Sequence, residues 1–488
     1  MKKIILLLII GTCIFSSCGD SWLDKSTPST SDESSKVITS AREAQYALNG
    51  IYFIMRKYEY YGARYTYYGD VTGEDMQANG DTKRASNYYL FNFNKENAPA
   101  SFWEYPYQVI RNANNVLEFL ESIADSDMTE ELLDIKGQAL ALRAMGHFDL
   151  VKVFGAPFTK DNGASLGVPI ELKKKDPKHK PARNTVAEVY KQVITDLSDA
   201  IELLSAAQNN GQINKFAAQQ LLARAYLYTD DNKNAYTTIT NMIEEAEKPA
   251  SKTKGQYTLW TNEEYSTVWS KDFTKEILFG LAVHSDEIKD SKEFIGYLMW
   301  RSGYDDIILT YDYVDLLSAD PDDVRLEVVT KYVKDKGKPK EKILYYLNKY
   351  PGNADAQENP TYADIPVLRL SEAYLIAAEA AVKLNDNTNA VKYLNAIVSR
   401  ANPEKSVTGT VTLDQVLTER RKELVGEGHR LFDAMRNNKR IERKGASHTS
   451  PLLTDESRSF DRSYFKTLMS IPKREMDLNK NMINNPGY

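Results

Sequence analysis

Three clusters of aromatic and amide side chains carry the residue types best suited to holding a ligand. The first is Tyr58-Glu59-Tyr60-Tyr61 with Tyr65, Tyr67 and Tyr68, followed by Asp70, Glu74 and Asp75. The second is Asn87-Tyr88-Tyr89 with Phe91, Asn92 and Asn94, and the third is Tyr297, Trp300, Arg301 and Tyr304. A sugar ring presents an apolar C–H face inside a rim of hydroxyls. Its site therefore wants flat aromatic platforms beside Asn, Asp and Arg side chains that pair with hydroxyls. On this ground the candidate contacts are Asp75, Asn87, Tyr88, Tyr89, Asn92, Tyr297, Trp300, Arg301 and Tyr304. The plainer reading of any one of them is a packed or exposed loop side chain. With 31 Tyr against 16 Phe and 5 Trp, both readings have material to work with.

Covalent chemistry finds little support. Gly163-Ala164-Ser165-Leu166-Gly167 satisfies G-x-S-x-G, but a nucleophile elbow needs a strand before the serine and a helix after it. Here Pro157 to Asn162 reads as loop and Val168-Pro169 follows, so the match is read as chance. The five histidines, His147, His179, His284, His429 and His448, show no metal-ligand spacing. No phosphate-cradling glycine loop and no carboxylate pair in an apolar setting stands out. The expectation is a chain with no catalytic residue, no metal and no cofactor.

The elements that must position these clusters read as helices. Ser40-x-x-Glu43, Thr185-x-x-Glu188 and Thr412-x-x-Gln415 are capping-box patterns. Apolar periodicity predicts helices from Ser40 past Met55 and over about Ser101 to Ile123, Thr129 to Val153, Thr185 to Leu204, Asn214 to Tyr228 and Lys233 to Ala246. Later ones are predicted over Arg369 to Leu384, Thr388 to Arg400 and Thr412 to Val425. Strands are sparse: Glu276 to Val283, Val328 to Val333 and Ile343 to Leu347. Two segments repeat one another. Ala225 leads through Asp230-Asp231-Asn232 to Ala235, and Ala380 leads through Asn385-Asp386-Asn387 to Ala390. Paired small residues across a polar turn are the pattern of tetratricopeptide hairpins, where helices approach closely. Between the helices, Tyr58 to Ala100, Phe154 to Asn184, Thr253 to Val268 and His284 to Ile308 read as long loops. Loops of that length are commonly functional.

The N-terminus addresses the chain to an envelope. Lys2 and Lys3 precede an apolar run from Ile4 to Ile10, and Ser16-Ser17 lead into Cys18. The run is shorter than the roughly 20 residues a membrane span takes, so it reads as a cleaved signal. Cleavage before Cys18 leaves a single thiol at the new N-terminus, the position expected to be lipidated. The polar stretch behind it reads as a tether. A formal charge of −6, read as a mildly acidic chain with no basic block, argues against a nucleic-acid partner.

The chain resembles SusD/RagB lipoproteins at Leu48-Asn49-Gly50-Ile51-Tyr52, Phe102-Trp103, Leu142-Arg143-Ala144, Phe148-Asp149-Leu150-Val151 and Phe154-Gly155-x-Pro157. The likeness continues at Arg183-x-Thr185, Leu222-Ala223-Arg224-Ala225-Tyr226-Leu227, Val367-x-Arg369-x-x-Glu372 and Glu419-Arg420-Arg421-x-Glu423-Leu424. It closes with Glu427-Gly428-x-Arg430-x-Phe432-Asp433 and Asn484-Asn485-Pro486-Gly487-Tyr488, and departs from the family pattern at Met435-Arg436-Asn437. The resemblance implies a mainly α fold, a tetratricopeptide-like hairpin scaffold carrying a loop-rich ligand-binding face. It implies an outer-membrane, lipid-anchored lid over a TonB-dependent SusC-like transporter, binding glycan or, in the RagB manner, peptide. The division expected is 1–17 signal peptide, 18–36 lipidated N-terminus and tether, and 37–488 SusD-like helical domain with hairpins within about 101–250 and 367–425. The matched motifs fall mainly on scaffold, and a buried Arg420 or Glu427 is expected to be paired. A surface glycosidase and a purely protein-binding adaptor are the other readings.

Overall fold

Side-chain caps start the scaffold helices where the sequence places them. Thr185 with Glu188 and Thr412 with Gln415 form complete capping boxes. At the first helix only half of the box forms. Ser40 accepts from the Glu43 amide, while the Glu43 carboxylate reaches past it to the Thr39 amide and hydroxyl at 2.6 and 2.7 Å. The computed structural model describes residues 38–488 except 177, 209, 252–253, 286–290 and 353–358. The signal peptide expected at 1–17, the lipidation cysteine Cys18 and the tether expected at 18–36 lie outside the described residues.

The molecule is mainly α. The first half holds α1 (Ala41–Met55), α2 (Arg64–Val71), α3 (Ser86–Tyr89), α4 (Ser101–Glu121), α5 (Glu130–Phe154), α6 (Val186–Leu203), α7 (Lys215–Tyr228) and α8 (Asn232–Glu247). The second half holds α9 (Ile295–Met299), α10 (Tyr311–Ser318), α11 (Leu370–Lys383), α12 (Asn387–Ala401), α13 (Leu413–Leu424) and α14 (Arg430–Arg436). From α4 to α8 each helix packs on the next, and α8 packs on α11, which packs on α12 and α13. The two repeats, α7–α8 and α11–α12, turn in the same way. Asp230 and Asn385 take left-handed backbone (φ 59° and 60°), and Asp231 and Asp386 then cap the second helix by accepting from Asn234 and Asn389. Asn and Asp tolerate that conformation better than other side chains, so the D/N-D-N turn sets the hairpin geometry.

The three expected strands form. With β1 (Met76–Ala78), β2 (Ile277–Leu281), β3 (Ile307–Leu309), β4 (Val329–Lys334), β5 (Lys342–Leu347) and β6 (Ile365–Arg369), the main sheet runs β1-β3-β5-β4, and β2 pairs antiparallel with β6. The 58–100 segment is not a loop throughout. It contains α2, α3 and β1. Every side chain from Tyr65 to Val71 is buried, so no polar face alternates with an apolar one and the periodicity that marks a surface helix is missing. For the same reason α14, buried along its whole length, escapes the pattern.

Charge as well as apolar surface fills the core. The Glu423 carboxylate, fully buried, accepts from Arg400 at 2.5 Å, Arg369 at 3.1 Å and Arg325 at 3.4 Å. Arg369 also meets Glu276 at 2.6 Å and Glu427 at 2.8 Å, and Lys349 meets Glu427 at 2.7 Å. Arg420 pairs with Asp433 at 2.8 Å, and Arg436, at the family departure, bonds Glu379 at 2.5 Å. Arg420 and Glu427 are both paired, as an isolated buried charge would be strongly destabilising.

Candidate ligand-binding surface

The third aromatic cluster is built by a short helix and a closed turn. α9 ends at Met299, and the turn returns through hydrogen bonds from the Gly303 amide to Trp300 O (3.0 Å), Tyr304 amide to Tyr297 O (3.1 Å) and Asp306 amide to Leu298 O (2.8 Å). A Cβ at Gly303 would stand 2.5 Å from Tyr297 O, so only glycine lets the turn close this tightly. The turn sets three rings edge to face: Tyr297 and Tyr304 centroids lie 4.9 Å apart at 88°, Tyr297 and Trp300 5.8 Å apart at 69°. Trp300 is 40% exposed, while Tyr297 and Tyr304 are half-buried.

Charged groups from distant segments gather here. The Arg84 guanidinium lies 3.6 Å from the Tyr304 centroid and bonds Glu293 at 2.8 Å, and that bond raises its pKa. Lys83 Nζ donates to Tyr304 O at 2.6 Å. Asp305, in left-handed backbone, accepts from Asn79 Nδ2 at 2.7 Å and from the Tyr346 hydroxyl at 2.6 Å. The buried Asp306 carboxylate accepts from the amides of Arg84 (2.9 Å) and Ala85 (3.1 Å), fixing the approach to α3. Burial raises the Asp306 pKa in spite of those bonds. Arg301 stacks 4.6 Å from the ring of Tyr332 on β4. Tyr304 and Arg301 are thus already engaged with protein partners, and Trp300 presents the freest aromatic face.

The first two clusters turn mostly inward. Tyr88 is 5% exposed and stacks on Phe102 at 5.6 Å and 20°, and Tyr89 is 1% exposed with its hydroxyl 3.0 Å from His448 Nδ1. Both are core residues: Tyr88 packs edge to face against Tyr67 and Tyr68 of α2, and Tyr89 stacks on His448. Asp75 is 1% exposed and is engaged by Arg421, with Nε 3.0 Å from its carboxylate. These three are corrected from ligand contacts to scaffold. Asn87 and Asn92 stay exposed, joined by a bond from the Asn92 amide to Asn87 O at 2.8 Å. In the first cluster, Tyr60, Tyr61 and Tyr65 all donate to the Asp149 carboxylate at 2.5, 2.8 and 2.8 Å. Tyr58 and Glu59 stay part-exposed, Tyr58 with its ring 5.1 Å from Arg64. Lys83, Arg84 and Glu293 were not read from the sequence. Arg84 and Glu293 stand 209 positions apart, and no periodicity links them.

Two cavities, of about 30 and 20 Å³, are lined by residues such as Tyr61, Lys152, Arg224 and Tyr228. Each has room for a water and neither has room for a sugar ring. Ser165 sits in a turn that is neither preceded by a strand nor followed directly by a helix, and it bonds Asp161. Among the described residues no three His, Cys, Asp or Glu are placed to hold a metal ion, and no helix is long and apolar enough to cross a membrane.

Residues 21–227 match a family described as "starch-binding associating with outer membrane", and residues 178–488 match the SusD family. The structure is similar to a putative sugar binding protein from Bacteroides vulgatus, 47% identical with a TM-score of 0.85, over 93% of this chain and 100% of that one. It is also similar to a SusD superfamily protein from Bacteroides thetaiotaomicron, 39% identical with a TM-score of 0.84, over 92% and 100% of the two chains. A SusD-like protein, P38, from Formosa agariphila is 24% identical over 98% of this chain and 100% of its own. With both halves matched in order and the helical scaffold superposing along its length, the chain belongs to the SusD/RagB family.

Proposed function

We propose that this chain is a cell-surface lipoprotein, acylated at Cys18, that captures an oligosaccharide on the Tyr297–Tyr304 rim and delivers it to a TonB-dependent SusC-like transporter. It performs no chemistry of its own. The observation that carries the ligand class is Trp300, an exposed indole held on edge by Tyr297, in a turn whose later residues Tyr304 and Asp305 meet Arg84 and Asn79. That pairing of a flat apolar face with groups able to meet hydroxyls suits a sugar ring. The sugar-binding description of the 47% identical neighbour supports the same class. A peptide is the second reading. β4, at the open edge of the sheet, carries Tyr332 against Arg301, and an edge strand can pair with an extended backbone.

Calorimetric titration of residues 19–488 with panels of oligosaccharides and peptides tests the ligand class. Saturable heat with a glycan is expected, lost on combined Tyr297→Ala and Trp300→Ala substitution with the unfolding midpoint held. Heat with peptides alone would replace glycan by peptide. Released reducing ends would overturn the non-catalytic role. Co-purification from native outer membrane tests the transporter partnership, and recovery without any TonB-dependent channel would refute it.

A further inference from the structure

The overall acidic charge conceals a local excess of the opposite sign, which corrects the reading of a chain without a basic block. Lys173, Lys174, Lys175, Lys178 and Lys180 fall within eight positions, and all five are exposed. Both ends of their segment are anchored. At its start the Glu171 amide donates to His147 Nε2 at 3.1 Å, and Arg143 donates to Leu172 O at 3.2 Å. At its end Asn481 donates to Lys180 O at 2.7 Å and Asn479 donates to Pro181 O at 2.8 Å. Those last bonds lay the C-terminal stretch of chain, which carries the exposed Lys480, alongside it. Among the described residues none of these six ammonium groups meets a carboxylate.

Apolar side chains stand among them. Leu478 and Ile483 are 60% and 61% exposed and Leu172 is 36% exposed, and Ile483 is fixed by a 3.0 Å bond from Arg183 to its carbonyl. Unpaired lysines would suit any polyanion. Lysines interleaved with protruding leucine and isoleucine suit a surface that offers phosphates and, just beneath them, hydrocarbon.

We propose that this face docks the body on an anionic lipid surface, the lysines on head-group phosphates and the Leu478 and Ile483 side chains entering the interfacial layer. The proposal rests on the reading above that the chain is lipid-anchored, which brings the face within reach of a bilayer. The face then acts as a second attachment that limits how the tethered body turns.

The test is co-sedimentation of residues 19–488, without the acylated cysteine, with vesicles of phosphatidylcholine alone or mixed with phosphatidylglycerol. Binding to the mixed vesicles only, weakened by salt, is expected. Replacing the five loop lysines by Gln should lower partitioning by roughly 1,000-fold or more, and Leu478→Gln with Ile483→Gln roughly tenfold. All these positions are exposed, and an unchanged unfolding midpoint confirms that the variants fold. Equal binding to both vesicles, or none, would overturn the proposal. Lysine-dependent binding indifferent to Leu478 and Ile483, and matched by heparin, would overturn it in favour of a soluble polyanion or acidic protein. Glycan titration of the same variants should be unchanged, so failure here leaves the ligand-binding reading standing.

Discussion

Two assemblies in this chain combine arginine, carboxylate and aromatic ring. In the core, Arg369 lies 5.4 and 5.2 Å from the rings of Trp260 and Trp269 and is paired with Glu276, Glu423 and Glu427. At the rim, Arg84 lies 3.6 Å from Tyr304 and is paired with Glu293. The chemistry is the same and the surroundings are opposite. Arg369 and Glu423 are almost wholly withdrawn from water, whereas the Arg84 and Glu293 side chains are 39% and 25% exposed. A desolvated charge is stable only with its partners in place, so the core lattice locks α11, α13 and the β2–β6 pair together. A solvated pair is screened and can exchange its partner for a ligand at little cost. Burial, more than residue type, separates scaffold from candidate site.

Acid should separate the two regions most strongly. Burial alone would raise the Glu372 and Glu379 carboxyls, but the surrounding cations together outweigh it, led by Arg224 at the first and Arg436 at the second, holding both at about 2 against an ordinary 4.5. The stability they supply is present above 4.5 and is lost as pH falls toward 2. Burial depresses His147 and His448 to about 3 and His429 to about 4 from 6.5, so the unfolded chain takes those protons first and the loss begins near 6.5. Asp70, pushed up to about 8 by burial, opposes them. Urea midpoints measured from neutral pH down to about 3 should fall, steepest below 4.5; a flat profile would remove the lattice from the stability argument.

Single substitutions sharpen the contrast. Glu423→Ala leaves three guanidinium groups short of a partner and should cost about 3–5 kcal/mol in urea unfolding. Glu293→Ala should stay within about 1 kcal/mol. Tyr88→Ala, removing a ring stacked on Phe102, should cost about 3 kcal/mol and reach ligand affinity only through lost folding. Trp300→Ala should do the reverse, weakening glycan binding roughly tenfold with the thermal midpoint unmoved. A Trp300 variant that unfolds early, or a Tyr88 variant that folds normally but does not bind, would break the distinction.

The scaffold was legible because its signals are local. Caps at Thr185 and Thr412, apolar spacing along α4 to α8, and the matching turns at Asp230 and Asn385 each act within a few residues of themselves. The candidate surface was legible only in part. Trp300 and Tyr297 were chosen by type, and the structure leaves Trp300 exposed and Tyr297 half-buried. Tyr88, Tyr89 and Asp75 were chosen on the same ground and proved to be interior, because a tyrosine's phenol is as serviceable against Phe102 or His448 as against a sugar. The tyrosine-rich α2 went unread since a helix buried on all sides shows no amphipathic period.

By itself the sequence determined where the long scaffold helices run, start and turn, and that aromatic side chains are abundant in the connections. Tertiary structure alone decided which of those rings meet water, that Arg84 meets Glu293 and Tyr304, and that the 479–481 stretch lies beside Lys180 and Pro181. Helix caps and periodicity depend on neighbours in the chain, whereas exposure and charge pairing depend on neighbours in space, and these come from segments hundreds of residues away.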